Sequence, residues 1–145
     1  MDELQSIDQI MPKSLDDIIR KQRDTHSLRL STAEDFVDLP PIVAMMDTPK
    51  QVRTTINEWR MVCLVKPGGK MHFLTGINEA RGTYWMTSTL KSVDFGNNLV
   101  LTENSIYRLG SKGEGEPNLY VLLHICSCFH SWGFGDFLGA PHIFY

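Results

Sequence analysis

The chain has 145 residues, 42% of them hydrophobic and 21% charged, and its formal net charge is −3. These proportions are typical of an ordinary folded protein and exclude a largely disordered chain, and the length suits one domain covering residues 1–145. Three cysteines are too few for a disulfide scaffold, the acidic N-terminus does not resemble a signal peptide, and no apolar run could cross a membrane. We therefore expect a cytoplasmic protein with no membrane partner.

Residues 1–57 predict short helices joined by turns. Leu4, Ile7 and Met11 are spaced three and four apart, which is the spacing of a helical stripe. Ser14 precedes a segment that begins with acidic residues and ends with basic ones, an order that suits the helix dipole. We expect a helix to follow each of these patterns.

Two further helices are predicted in the same segment. Residues 31–34 (STAE) have the pattern of a capping box. Residues 48–51 (TPKQ) combine a threonine cap with proline at the first helical position. Val52 and Ile56 would then share the buried face of the last helix before the chain changes character at Glu58.

A β-meander is predicted between Glu58 and Gly110, followed by a connector at 111–118. Turn residues separate short segments rich in aromatic, β-branched and aliphatic residues, which favour strands. Successive short strands usually pair as neighbours, and five of them could curl into a small SH3-like or OB-like barrel or stay an open sheet. The five predicted strands are 59–65, 71–76, 83–93, 99–102 and 106–109.

Residues 119–132 predict a C-terminal helix, which makes the fold class α+β. Asn118 is placed to cap its start and Gly133 to end it, and the apolar stretch is long for a strand. The apolar tail that follows should pack on the sheet or on another chain. The tail and the helix end supply five interface candidates: Trp132, Phe134, Phe137, Phe144 and Tyr145.

Charge is segregated along the chain. Residues 50–112 carry a net charge of +5, between an N-terminal segment of −5 and a C-terminal segment of −3. Basic grooves lined by aromatic rings bind single-stranded nucleic acids, whereas solvated cations beside a core of aromatic residues need no ligand. The candidates for contact with nucleic acid or a protein partner are Arg60, Lys66, Lys70, Arg81, Tyr84, Lys91 and Arg108.

Histidines and cysteines alternate near the C-terminus, and both residue types bind zinc. In a strand, four alternate side chains would span about 20 Å and could not meet at one ion. In a helix, pairs four residues apart could supply half a site, while buried cysteines and surface histidines would need no metal. We expect no cofactor here and keep a metal site as the alternative, with these ligands: His124, Cys126, Cys128, His130 and His142.

None of the familiar catalytic motifs occurs in the sequence, so we do not expect an enzyme. The leading hypothesis is a non-enzymatic interaction protein that binds another protein or a second copy of itself. An adaptor or inhibitor of the kind found in bacteria and their mobile elements would fit. A nucleic-acid-binding small barrel and a metal-binding protein are the two alternatives.

Overall fold

A computed structural model describes residues 10–37, 39–40, 42, 51–103 and 105–142. This part of the chain is a mixed α+β protein with one seven-stranded sheet and a C-terminal helix. The strands are β1 Ser27–Leu30, β2 Val52–Lys66, β3 Gly69–Asn78, β4 Thr83–Met86, β5 Leu90–Asp94, β6 Leu99–Thr102 and β7 Ile106–Leu109. The helical elements that lie wholly within the described residues are α1 Leu119–Ser131, α2 Gly135–Leu138 and two 3₁₀ turns, Asp16–Ile18 and Ala33–Phe36. Among the described residues, no helix is both long and apolar enough to cross a membrane.

The sheet consists of two antiparallel units joined by one parallel pair. Its strand order is β4-β3-β2-β7-β6-β5, and β1 pairs with the second half of β2. β7 returns beside the first half of β2 and runs parallel to it, with Thr55 opposite Arg108. The predicted strands are therefore present, but they do not form one continuous meander, and the predicted strand 83–93 is divided into β4 and β5.

The sequence left a small SH3-like or OB-like barrel and an open sheet as alternatives, and the structure has the open sheet, with β4 and β5 at the two ends of the strand order. Thr87, between β4 and β5, is hydrogen-bonded to Leu74 of β3. Its N–H donates to the Leu74 carbonyl at 2.9 Å, as in a ladder, but the Leu74 N–H donates to the Thr87 hydroxyl at 3.1 Å. The side-chain oxygen takes the position of a backbone carbonyl, and in the part of the chain described β5 does not pair with β3.

β2 has 15 residues and bends in its middle. Glu58 has a positive φ of 50°, and the pairing with β3 shifts register between Asn57 and Arg60. This β-bulge separates a first half that pairs with β7 from a second half that pairs with β1. Val52 and Ile56 lie on β2, so the prediction that they belong to a helix is wrong.

Between Met11 and Phe36, the structure has two single 3₁₀ turns and one strand where longer helices were predicted. The first turn stops because the N–H groups of Arg20 and Lys21 both donate to the Leu138 carbonyl at 2.9 Å instead of continuing a helix. The predicted helix patterns at residues 4–7 and 48–50 lie outside the described residues. Tertiary contacts therefore limit helix length in this segment.

The prediction of a C-terminal helix is confirmed. Asn118 caps α1, with its side-chain oxygen accepting from the Val121 N–H at 3.0 Å, and Gly133 beyond the end has a positive φ of 93°. Leu119, the first residue of this apolar segment, is exposed and lies outside the buried face. The residues that this helix buries are Val121, Leu122, Ile125, Cys126 and Phe129.

Two of the three apolar clusters among the described residues lie on either side of β2, and the third is a small one formed by Ile42, Leu101 and Ile106. The helix-side core packs α1 and the first 3₁₀ turn against the sheet, and it includes Leu15, Ile18, Val62, Phe73, Ile125 and Phe129. The second core fills the curl of the sheet and consists of Ile56, Met61, Leu74, Leu90, Val100, Tyr107 and Leu109. Alternate residues of β2 thus point into different cores, which fixes the register of the strand.

Candidate functional site

A groove of about 700 Å³ opens beside the bulge of β2. It lies between the second 3₁₀ turn, the β5–β6 turn and the connector that follows β7. Pockets that bind organic groups usually have about this size and a mainly apolar lining. The side chains that give the groove its character are Leu30, Phe36, Trp59, Met61, Phe95 and Lys112.

Three of these side chains form an aromatic row, which we define as Phe36, Phe95 and Trp59. The ring centroids are 5.9 Å apart between Phe36 and Phe95 and 6.5 Å apart between Phe95 and Trp59. Lys112 ends the row, with its Nζ 5.5 Å from the centre of the Trp59 ring. Phe95 is 47% exposed although it is a large apolar residue. The row is therefore an accessible apolar wall with a cation at one end.

The bulge holds Trp59 in place through backbone contacts. Its N–H donates to the Ser111 carbonyl at 3.0 Å, and its carbonyl accepts from the Gly113 N–H at 2.9 Å. The indole N–H donates to the Gly110 carbonyl at 3.1 Å. These three hydrogen bonds fasten the connector to β2 and leave the ring facing the groove.

Arg60, which follows Trp59 on β2, binds the same connector through its side chain. Its guanidinium donates to the carbonyls of Glu114 and Gly115, each at 2.8 Å. A side chain at Gly113 would collide with this guanidinium, because a Cβ there would lie 2.6 Å from its Nη1. The positive charge of Arg60 is thus near the groove, but these hydrogen bonds engage its donors.

Asp35 holds the second 3₁₀ turn against the sheet and so positions Phe36. Its carboxylate accepts from Arg29 at 2.9 and 3.0 Å and from Lys70 at 3.1 Å. It also completes a capping box with Thr32, one residue later than the sequence pattern predicts. The hydrogen bonds from Arg29, with those from Thr32 and Lys70, hold the pKa of Asp35 well below its ordinary value.

Asp35 also lies close to Cys63 and His72, with one ligand atom of each within 4.8 Å of the others. Burial raises the pKa of the Cys63 thiol and lowers the pKa of His72, so both are neutral near pH 7. The Ser31 hydroxyl is 2.9 Å from Nδ1 of His72. Arg29 and Lys70 already bind the Asp35 carboxylate. This cluster is therefore better suited to holding the 3₁₀ turn against the sheet than to binding a metal or activating Ser31.

Several of the predicted basic contact residues are engaged by acidic groups or carbonyls. Lys70 pairs with Asp35, and Lys91 lies 3.5 Å from the carboxylate of Glu103. Arg60 is held by the connector, as described above. The remaining candidates apart from Arg81 are exposed at separate places: Lys66 at the end of β2, Tyr84 on β4 and Arg108 on β7.

Arg81 belongs to a second basic and aromatic patch that the sequence analysis did not assemble. The guanidinium carbons of Arg53 and Arg81 lie 5.1 and 5.2 Å from the centre of the Trp85 ring. Arg53 and the Trp85 indole both donate to the Tyr107 hydroxyl at 3.3 Å. The structure thus places two guanidinium groups against one indole at the end of the curled sheet.

The interface candidates at the C-terminus have different environments. Trp132 and Phe134 pack with Phe129 in an aromatic cluster, with ring centroids 5.0–6.2 Å apart. Phe137 is exposed on α2. The other two candidates lie outside the described residues: Phe144 and Tyr145.

The histidine and cysteine candidates do not form one site. Cys126 is buried in the helix-side core, and burial raises its pKa to about 12. His124 and Cys128 are neighbours, 3.9 Å apart between Nε2 and Sγ, and burial raises the pKa of Cys128 to about 11. His130 and His142 instead stack their rings, with centroids 4.4 Å apart.

Sequence reasoning did not consider Phe36, Phe95 or Arg53 as site residues. One usable signal exists for Phe95, since it is an aromatic residue within an otherwise polar segment between two predicted strands and so cannot be buried by strand pairing. Phe36 lies in the segment predicted as a helix after the capping-box pattern. The position of Arg53 depends on chain reversals, which no local pattern indicates.

The fold and the groove together define a mixed α+β protein with an accessible aromatic row. No family model, no curated protein and no solved structure matches this chain.

Proposed function

We propose that this protein is a non-enzymatic interaction module that binds an extended peptide segment of another protein in the groove. The observation that carries the proposal is the exposed aromatic row ending in Lys112. A large apolar side chain of the peptide would pack against Phe95 and Trp59. A neighbouring carboxylate of the peptide would pair with Lys112.

The charges around the groove favour a peptide over a nucleic acid. Binding to a phosphate backbone draws its strength from several neutralising cations. Near the groove, Lys70 is held by Asp35 and Arg60 by two carbonyls. A single carboxylate needs only Lys112, and apolar contact with the aromatic row supplies the remaining affinity.

The environment of Ser31 supports binding rather than catalysis. Its hydroxyl reaches Nδ1 of His72, but the nearby Asp35 carboxylate, which would have to orient that imidazole, already binds Arg29 and Lys70. A serine nucleophile needs a base that a third group orients. We therefore assign the groove a binding role.

Selection of ligands from a random peptide library tests this proposal. We expect enriched sequences to place an aromatic or large aliphatic residue beside Asp or Glu. Affinities of the selected peptides, measured by calorimetry, should fall at least about tenfold for Phe95→Ala and for Lys112→Glu. Both changes affect exposed side chains, so the fold should survive them.

The matched controls are Tyr120→Ala, an aromatic residue on α1 that is 67% exposed, and Lys66→Glu, an exposed lysine at the end of β2. Both should bind the selected peptides as the wild type does. Failure to enrich any sequence, or equal loss in the controls and the groove variants, would contradict peptide binding in the groove.

A second candidate function is binding of single-stranded nucleic acid by the patch of Arg53, Arg81 and Trp85. Two guanidinium groups beside an indole could contact phosphate while a base stacks on the ring. Fluorescence anisotropy with labelled oligothymidine at two salt concentrations would test it. Salt-dependent binding that Arg81→Glu abolishes and Lys112→Glu leaves intact would favour this function over peptide binding.

A further inference from the structure

The chain reverses direction after α1 and brings three metal-ligating side chains together. His130 lies in the last turn of α1, Asp136 lies in α2, and His142 follows Pro141. One ligand atom of each lies within 4.8 Å of the other two. This cluster is separate from the groove, and of its members the sequence analysis considered only the two histidines.

A hydrogen bond sets the orientation of the His130 ring. Its Nε2 lies 2.9 Å from the carbonyl oxygen of Ala140, so Nε2 carries the proton and donates it. In a neutral imidazole the lone pair is then on Nδ1, which lies 3.6 Å from Oδ1 of Asp136. Histidines that bind metals commonly donate their other ring N–H to a carbonyl or carboxylate in this way.

Gly135 allows the face of the His130 ring to pack against the backbone of α2. A Cβ at position 135 would lie 2.4 Å from Nδ1 of His130, 2.5 Å from Cγ and 2.7 Å from Cε1, so it would collide with the ring. Any other residue there would displace the ring from Asp136 and from the Ala140 carbonyl. The absence of a side chain therefore allows the ring orientation that the hydrogen bond sets.

A simple ion pair between His130 and Asp136 explains this cluster less well than a metal site does. The Asp136 side chain is 96% exposed, and an ion pair with such a group contributes little to stability. The rings of His130 and His142 lie 4.4 Å apart between centroids and 18° from parallel, so the cluster also brings a second imidazole beside the carboxylate. Two neutral imidazoles and one carboxylate are the protonation states that a divalent cation selects.

We propose that His130, Asp136 and His142 bind a zinc ion, with water in the remaining position. Zinc takes nitrogen and oxygen ligands at about 2.0–2.2 Å in tetrahedral geometry, so its ligand atoms lie about 3.3 Å from one another. The observed 3.6 Å between His130 and Asp136 is close to that separation. Asp136 and His142 are both exposed, so the His142 ring can turn out of the stack and direct a nitrogen at the ion without moving the core.

The bound ion would tie the segment after α2 to the end of α1. Residue 142 would then be held to residue 130 through the shared ion instead of by stacking of the two rings. We therefore expect zinc to raise the melting temperature of the protein, because a ligand that binds only the folded state stabilises it.

The test uses the full chain without a histidine tag, first stripped with a chelator and then titrated with zinc against a competing indicator. One zinc ion per chain is expected. His142→Ala and Asp136→Asn should each weaken binding at least about tenfold, the lower end of the loss seen even for outer partners of metal ligands. The matched control, His124→Ala, removes a histidine on the same helix outside the cluster and should bind zinc as the wild type does.

Cobalt substitution and NMR identify the ligands. The cobalt complex should lack thiolate-to-cobalt charge transfer, and zinc should shift the Nδ1 resonance of His130 more than its Nε2 resonance. Absence of zinc binding would overturn the proposal. So would binding that survives the double change His142→Ala and Asp136→Asn, or that depends on His124 and Cys128.

Discussion

At the scale of single residues, Asp35 holds one wall of the groove in place. It is 3% exposed and joins three parts of the chain, since Arg29 lies on β1, Lys70 on β3 and Thr32 at the start of the 3₁₀ turn. The turn carries Phe36 into the aromatic row. The same carboxylate thus caps the 3₁₀ turn and binds this turn, which carries Phe36, to the sheet.

Replacing Asp35 by asparagine should destabilise the protein by about 2 kcal/mol at pH 7, because Arg29 and Lys70 lose their partner. The full loss for a buried pair is larger, but both cations are partly exposed and water compensates them. Urea unfolding followed by circular dichroism measures the difference. Asp16→Asn, which removes an exposed pair with Arg23, should change stability by less than about 0.5 kcal/mol.

The same variant should alter the pH dependence of stability. The pKa of Asp35 is lowered in the folded state, so its contribution is complete above the pKa of the unfolded chain, about 3.9, and is lost as the pH falls further. The advantage of the wild type over Asp35→Asn should therefore shrink below about pH 4. A constant difference from pH 7 to pH 2 would show that the carboxylate charge is not responsible.

At the scale of the elements, the bulge of β2 requires a glycine at position 76 of the neighbouring strand β3. A Cβ at Gly76 of β3 would lie 2.6 Å from the Asn57 carbonyl oxygen and 2.6 Å from Cγ2 of Ile56. Backbone at the bulge cannot move aside without breaking its pairing. Gly76 therefore allows the sheet to bend tightly enough to hold the second core and the groove.

Gly76→Ala should destabilise the protein by about 2 kcal/mol, in the range expected for overpacking. Gly96→Ala is the matched control, because a Cβ there has only an ordinary contact at 3.5 Å with the Asp94 side chain. Thermal or urea unfolding compares the two. Similar stabilities for the two variants would mean that the bulge tolerates a methyl group.

The cap of α1 gives a second prediction for a single element. Asn118→Ala removes the acceptor for the Val121 N–H and should lower the free energy of unfolding by about 1 kcal/mol. Asn118→Ser keeps a capping oxygen and should recover most of the loss. If the serine and alanine variants unfold alike, packing of the helix rather than its cap decides its stability.

At the scale of the whole molecule, β2 is the central strand that links the other strands and the two main cores. It pairs with β1, β3 and β7, and its alternate residues enter both cores. Opening this strand would expose both cores at once. We therefore expect its amides to exchange with solvent only through global unfolding.

Hydrogen exchange followed by NMR should find the slowest amides in the second half of β2 and in β3, around Val62 and Phe73. The edge strands β4 and β5 and the short helix α2 should exchange faster, because each has fewer pairing partners. Slower exchange in β5 than in β2 would show that the sheet is held together at its edge and not at its centre.

The sequence by itself determined the local elements of this protein. Strand segments, the turn at 94–98 and α1 with its Asn118 cap follow from side-chain periodicity and capping, which act between residues close in the chain. The aromatic row was not predictable in this way, because Phe36, Trp59 and Phe95 come from three separate elements.

Only the tertiary structure decided how these elements combine. The parallel pairing of β2 with β7, the hydrogen bonds of Thr87 with β3 and the short 3₁₀ turns each depend on contacts between residues that are not neighbours in the chain. The same holds for the cluster of His130, Asp136 and His142, which needs two chain reversals around α2. Local patterns specify what each segment prefers, whereas burial and long-range hydrogen bonding select which side chains meet.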